Sequence, residues 1–534
     1  MKKQLQFGVA LSVLFSLSTL AQAPNLGTSA NFVLFTSVGA ITNVGTSHLT
    51  GHVGSNSGSS TGFGNVDGVM NNTNGVSAQA DADLTIAYNQ LNDAVPNYFI
   101  APLLGNGQVL QQGVYSLPSV STLNLDLTLD AQNDPTAVFI FKINGAFSSA
   151  AFSEVKLING AQACNVFWKI EGLVSLATGT IMKGTVIANN AAIIMNTGVN
   201  LEGRALSTSG AISVDGIVSF KPLGCGSPIL TGPIAPNLNS AICYTLFSSN
   251  GSVSNAGTTL LTGDVGTNVG LTTGFDPLNV TGMIHPIPDT STAAAAQDLL
   301  QAYTYINALP YDIQLLYPAQ FGNDLVLTPH TYLLNAATEL TGNLYLNGQD
   351  NADAVFVIQI NGALSTSTYA KVFLINGTQA KNVYWKVDGA VLINDYSEFK
   401  GTIICNNGAI NLTTGVQLNG RAMTTDGALS TASIISIMTP GCGTMGLNDF
   451  GKEAQVAQFY PNPFSTFLNV DMISELTSTT IELLIHDALG RELVKVALSR
   501  LSTQIDVTDF PAGFYFYKII DANKILQSGS LIAQ

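Results

Sequence analysis

The sequence predicts a mainly β chain: two tandem β-solenoids, each with one flanking α-helix, followed by a small antiparallel β-sandwich. Three observations predict it. Asn165-Val166-Phe167-Trp168-Lys169 returns 217 positions later as Asn382-Val383-Tyr384-Trp385-Lys386, and Cys225 returns at the same distance as Cys442, so one large unit is present twice. Inside each unit a 19-residue spacing recurs, through Asn165, Gly184 and Gly203 in the first and Asn382, Gly401 and Gly420 in the second. Nested periods of this kind belong to stacked coils, each burying its apolar side chains against its neighbours. The composition agrees, because only 10% of residues are charged and 51 are Gly, with no long charged or Gln-rich tract that would stay unfolded.

A length of 534 residues accommodates about three domains. The expected division is 1–23, 24–226 and 237–443 joined by a linker at 227–236, a second linker at 444–457, and 458–534. The net charge of -15 comes without any basic stripe, which argues against nucleic acid and against anionic membrane as partners. Residues 1–23 read as a signal peptide: Lys2 and Lys3, an apolar run from Phe7 to Leu20, then Ala21-Gln22-Ala23 as a small-residue cleavage site. The protein is therefore expected outside the cytoplasm, exported through the periplasm. No later segment is apolar enough in sequence to span a bilayer.

Each coil of 19 residues leaves room for three strands of about four to six residues and three turns, a triangular solenoid with coils stacked at about 4.8 Å. Val186, Ala188 and Ile194 read as inward side chains; Asn189-Asn190, Asn196 to Gly198 and Glu202-Gly203 read as corners. One segment per copy breaks the β pattern. Leu84, Ala87, Tyr88, Leu91 and Val95 follow helical spacing, begun near Ser77 and ended by Pro96, and Leu299, Ala302, Tyr303 and Ile306 repeat it. A helix of this kind covers an apolar solenoid flank, and its aromatic positions are expected in the core. Beyond 458 neither period persists, and Ile481 to Ile485, Leu493 to Leu498 and Phe514 to Ile520 read as strands of the sandwich.

Export permits disulfides. Cys164 and Cys225 could bridge in the first copy, but Lys381 stands at the place of Cys164 in the second, so Cys442 would need another partner such as Cys243. Cys405, at the place of Ala188, is expected as a buried thiol. No CxxC pair exists and His48, His52, His285, His330 and His486 are scattered, so neither a zinc site nor any cofactor is expected. Asp126, Asp130 and Asp134 form the densest acidic group of the first copy, but their counterparts Asn347, Asp350 and Asp353 preserve only an Asx-rich turn.

Several separated motifs then carry a resemblance. Leu26-Gly27-Thr28, Leu129 to Pro135, Ala137-Val138-Phe139-Ile140-Phe141, Leu157 to Trp168, Asn196-Thr197-Gly198 and Gly203-Arg204 occur in order, and more loosely again in 237–443; together they resemble the microbial ice-binding protein family. That resemblance implies right-handed, discontinuous β-solenoids with a helix along the side. The tail, through Tyr460-Pro461-Asn462-Pro463-Phe464, Leu489-Gly490-Arg491 and Pro511 to Lys518, resembles the C-terminal sorting domain of the type IX secretion system of Bacteroidetes, with Gly529-Ser530-Leu531 in place of the usual Gly-Lys-Leu. Such a tail implies the type IX machinery as a partner and a secreted or outer-membrane-surface protein, released or attached to surface lipopolysaccharide. The chain is expected to act as a monomer.

In that family ice meets a flat face bearing a repeated T-A/G-x-T/N pattern. Side chains two residues apart on a strand sit about 6.6 Å apart and coils repeat at about 4.8 Å, a grid on which water can order as in ice. Here Thr197-Gly198-Val199-Asn200 matches fully, Thr178-Gly179-Thr180 lies 19 residues earlier, and Gly45-Thr46-Ser47 is a partial match. In the second copy the candidates are Thr414-Gly415-Val416-Gln417, Thr341-Gly342-Asn343 and Ala256-Gly257-Thr258-Thr259. The expected ice-contacting residues are thus Thr46, Ser47, Thr178, Thr180, Thr197, Asn200, Thr258, Thr259, Thr341, Asn343 and Thr414. The second copy has Asp395, Tyr396 and Glu398 where the first has Thr178-Gly179 and Ile181, which makes the first copy the better candidate. The rival reading is a non-catalytic cell-surface adhesin or structural module on the same scaffold. A polysaccharide-active enzyme needs clustered carboxylates in a groove, and none is proposed.

Overall fold

The computed structural model describes residues 21–226, 228–438, 456–473, 481–487, 491–498, 502–521 and 524–534; most of the expected signal peptide, and Cys442, lie outside them. The chain divides into two compact units, Met1–Gly441 and Cys442–Gln534. The first holds both solenoids.

In the first solenoid each regular coil contributes one short strand and one long one, as in Val174–Leu176 with Ile181–Ala188 and Ile193–Met195 with Asn200–Ser207. Successive coils pair in parallel with no slip, Gly184 opposite Gly203 and Val186 opposite Ala205. Three separate strands per coil were expected, with a corner at Glu202-Gly203; instead two of the three faces share the long strand, which runs through that point. The shared strand builds a 13-stranded sheet, and the short strands form a separate 8-stranded one. Glycine is required where the shared strand turns, because a Cβ on Gly203 would lie 1.8 Å from the Gly184 carbonyl oxygen.

Val186 and Ala188 point inward as expected, but Ile194 faces out, between buried Ile193 and Met195. A strand alternates sides at every residue, so reading the short strand one position out of phase inverts it. The interior is continuous. Tyr115, Phe141 and Trp168 stack coil over coil with centroids 5.2 and 4.0 Å apart, an aromatic column inside the sheet.

The chain enters this stack one coil from its end. Phe32–Val38 pairs on one side with Asn200–Ser207 and on the other with His52–Ser57, so the chain first builds one end and must then cross to the other. Helix α1 (Gly75–Asp93, 19 residues) makes that crossing. At 1.5 Å per residue it spans about 28 Å, close to the height of about 34 Å of eight stacked strands. Asn74 caps it in a capping box with Ser77. Ala80, Leu84, Ala87 and Leu91 bury against Phe35, Ile140, Phe167, Ile187 and Leu206. Tyr88, expected in the core, is only half-buried. Its hydroxyl donates to Glu171 Oε1 at 2.6 Å and accepts from Asn189 Nδ2 at 2.9 Å, which ties the helix to a coil corner. Val95 lies beyond the helix end and is exposed.

The second solenoid repeats the plan, with a 15-stranded and an 8-stranded sheet. Its helix α2 (Thr290–Ala308) is capped by Asp289 with Thr292, and Tyr303 donates to Asp388 Oδ1 at 2.8 Å in the place of the Tyr88–Glu171 bond. Cys164 and Cys225 form a disulfide, Cys405 is a buried free thiol, and Cys243 is disulfide-bonded.

The second unit is antiparallel throughout its described strands. Ala457–Tyr460, Phe467–Met472 and Ser502–Asp506 form one sheet; Ile481–His486, Glu492–Ala497, Gly513–Asp521 and Lys524–Ala533 form the other. Both contribute to one core around Phe464, Leu468, Leu483, Ile485, Ile519 and Leu531.

Candidate functional site

Each solenoid presents three faces of different chemistry. The first is covered by the helix. On the second, the outward side chains of the long strands are ionic: Lys156 bonds Asp126 at 2.6 Å, Lys183 bonds Glu202 at 2.8 Å, and in the second solenoid Lys371 bonds Glu398 at 2.7 Å. The hydrogen bond from Lys371 holds the Glu398 carboxyl below its usual range. Such a surface fixes water around charges rather than on a neutral lattice.

The 8-stranded sheets form the third face. In the first solenoid the register places Thr61, Thr42, Ser213, Ile194, Ser175, Ser148 and Thr122 in one outward row, coil after coil. In the second the same row reads Thr273, Ser254, Ser430, Asn411, Leu392, Ser365 and Glu339. The rows hold hydroxyl and aliphatic groups and one amide, Asn411, with a charge only at Glu339, the last strand position of the second row. Some hydroxyls touch: Thr122 and Ser148 are 3.1 Å apart.

The T-A/G-x-T/N pattern occupies the corner between this flat face and the ionic one. Its second residue is in the left-handed conformation in every coil: Gly45 (φ 71°), Gly216 (53°), Gly198 (74°), Gly179 (70°) and Phe152 (58°) in the first solenoid, Gly257 (73°), Ser433 (50°), Gly415 (72°), Tyr396 (59°) and Tyr369 (60°) in the second. The glycine of the motif is therefore first a corner requirement. Its first residue stands exposed or half-exposed at the rim of the flat face, which places Thr178, Thr197, Thr341 and Thr414 there. Thr197 Oγ1 donates to Asp215 Oδ2 at 2.7 Å.

The remaining expected positions fall elsewhere. Thr46 and Thr258 are exposed on corners one residue longer than the others. Asn200 and Asn343 begin strands of the ionic face, Asn343 donating to Asp324 at 2.8 Å. Three hydroxyls point inward and are corrected: Thr180 is fully buried and bonds Ser149 and the Ala177 carbonyl, Thr259 is buried and donates to Asn255, and Ser47 is half-buried and donates to Asn43. In the regular corners the third motif position turns its side chain to the core, and in the corners one residue longer the fourth does, so a hydroxyl there bonds the chain itself. Sequence reasoning missed the flat-face row. Its signal was available: Ser175, Ile194 and Ser213 recur at 19 residues, each between two buried apolar neighbours.

Parallel coils braced by one helix, with an extended, largely uncharged face of short strands, define a β-solenoid of the tandem type. The chain belongs to the ice-binding-like family, whose model matches residues 35–219 and again 247–435. It is 38% identical over 214 residues to an ice-binding protein of Nostoc sp. (strain HG1), covering 39% of this chain and 78% of that one. It is 27% identical over 203 residues to one of Flavobacterium frigoris (strain PS1), covering 35% and 71%. A crystal structure of an ice-binding protein from an Antarctic Flavobacteriaceae bacterium superposes with a TM-score of 0.78 at 62% identity, covering 79% of this chain and all of that one. Residues 458–533 match the secretion system C-terminal sorting domain, which makes this a secreted or cell-surface protein.

Proposed function

We propose that the protein binds ice by adsorption of the flat face of each solenoid, with the corner threonines as its rim. The observation that carries this reading is the outward row on the 8-stranded sheet, uncharged in the first solenoid and charged only at Glu339 in the second, set on a core that fixes its spacing. Hydroxyls and methyls at about 4.8 Å along the stack can hold water in a lattice that merges with ice, and each adsorbed patch stops local growth. No reaction is catalysed. The relatives named above as ice-binding proteins support the same ligand. The first solenoid is the stronger contributor, because the corner of the second carries Asp395 and the exposed, stacked pair Tyr369 and Tyr396. The tail delivers the protein through the type IX machinery after passage across the periplasm, for release or for attachment to surface lipopolysaccharide.

An adhesin on the same scaffold would not recognise ice. In a slowly frozen solution the purified protein is expected to concentrate in the ice fraction and to facet single crystals. Exclusion from the ice, with unshaped crystals, would establish the adhesin reading instead.

A further inference from the structure

The two solenoids meet end to end. The last loop of the first, residues 60–70, lies on the first coil of the second: Asn65 Nδ2 donates to the Tyr317 carbonyl at 2.8 Å, its Oδ1 accepts from Tyr317 N–H at 2.9 Å, and Val69 packs on the second core. The strand His48–Thr50 of one ionic face abuts Leu325–Leu327 of the other. The ionic face of one solenoid therefore meets the ionic face of the other at the junction.

One carboxyl is sealed into that junction. Asp67 is 3% exposed, and its two oxygens lie 2.6 Å from Tyr332 Oη and 2.7 Å from Thr328 Oγ1, both of the second solenoid. Tyr332 Oη is also 2.6 Å from the Thr328 carbonyl oxygen and 3.0 Å from the Thr328 N–H. A phenol carries one proton, yet its oxygen has two acceptors at short range. The equivalent Tyr115 of the first solenoid donates to the Gln111 carbonyl with no carboxyl nearby, so this bond belongs to the coil itself and Tyr332 spends its proton there too. The contact between Tyr332 and Asp67 then lacks a proton unless Asp67 brings one.

We propose that Asp67 is held as the neutral acid, donating to Tyr332 Oη while accepting from Thr328 Oγ1, and that this pin sets the two flat faces in one orientation. Asp67 is thus a positioning residue for adsorption by the tandem; only that consequence rests on the ice reading. Burial acts in the same direction, raising the affinity of Asp67 for its proton against the pull of His330, Thr328, Tyr332 and Lys221. The groups facing the adjoining cavity of about 530 Å³ are His52 and Arg204, with Lys221 after them, from the first solenoid, and Asp312 and His330 from the second. His52 is neutral, pushed down to about 4 by burial, Lys221 and His330, and its Nδ1 accepts from Val69 N–H. Because the pinned form is the protonated one, the pin is complete at low pH and is lost as pH rises through the raised value.

The substitution D67N separates this from an ionised Asp67. An amide donates and accepts as the neutral acid does, whereas a site built for a carboxylate would reject it. In the full chain with spin labels at Ala82 and Gln301, on the exposed sides of the two helices, the wild type and D67N are expected to share one narrow distance distribution and D67A to broaden it. Infrared spectra at neutral pH are expected to show a protonated carboxyl band that D67N lacks, and raising the pH is expected to broaden the wild type but not D67N. Thermal hysteresis of D67A is expected to fall at least about two-fold as joint engagement is lost. Equal broadening in D67N and D67A, absence of the band, or undiminished hysteresis in a broadened D67A would each overturn the proposal. The distance and infrared measurements use no ice, so they fail or succeed apart from the ice reading.

Discussion

Gly198 and Gly203 are both glycines of the repeat, but for different reasons. Gly198 sits at a corner with φ 74° and nothing closer than 3.8 Å to its would-be Cβ, so alanine there meets only backbone strain. Gly203 has a carbonyl oxygen 1.8 Å from that position, so alanine forces two coils apart. Gly198→Ala is expected to destabilise by about 1–2 kcal/mol, and Gly203→Ala by more than about 4 kcal/mol; calorimetric unfolding checks the ranking. At this scale the sequence was only half legible. It marked both glycines as periodic, yet nothing in it separates a corner from a close approach, and nothing in Thr178-Gly179-Thr180 says that one threonine faces out and the other in.

The helices were legible because 3.6-residue spacing stands out against β alternation, whereas the first was expected to begin near Ser77 and its cap proved to be Asn74, with Asp289 in the same role on the second. Their fastening was not, since the partners of Tyr88 lie 83 and 101 residues away in the chain. Glu171 is the hub. Burial alone would raise its proton affinity, but bonds from Lys169, Tyr88 and Asn189 outweigh it and hold the carboxyl below its usual range. A depressed value means that the fastening is present above the ordinary carboxylate range and is lost as pH falls through the lowered one. Protection of the α1 amides, taken relative to the intrinsic exchange rate at each pH, is accordingly expected to fall on acidification before that of the coils, and Glu171→Gln to show the lower protection already at neutral pH. Exchange in α1 that is the same in wild type and variant would remove Glu171 from this role.

For the whole molecule, the duplication and coil period disclosed the solenoids, since a repeated 19-residue spacing admits few other folds. The entry of the chain one coil from the end of the stack and the end-to-end junction were hidden, because they depend on Phe32–Val38 pairing with Asn200–Ser207 and on Asp67 meeting Tyr332. The faces followed from neither. They become distinct only once the register separates Ser175 and Ser213 from Lys183 and Glu202. The central claim is that the flat face, rather than the ionic one, meets ice. The most direct measurement is thermal hysteresis of matched tyrosine variants, Ser175→Tyr and Ser213→Tyr on the flat face against Asn200→Tyr on the ionic face, with unfolding temperatures recorded for each. The flat-face variants are expected to lose most of the hysteresis at unchanged unfolding temperature while Asn200→Tyr retains it. Full activity in Ser175→Tyr and Ser213→Tyr with loss in Asn200→Tyr would place the ice contact on the ionic face and contradict the account.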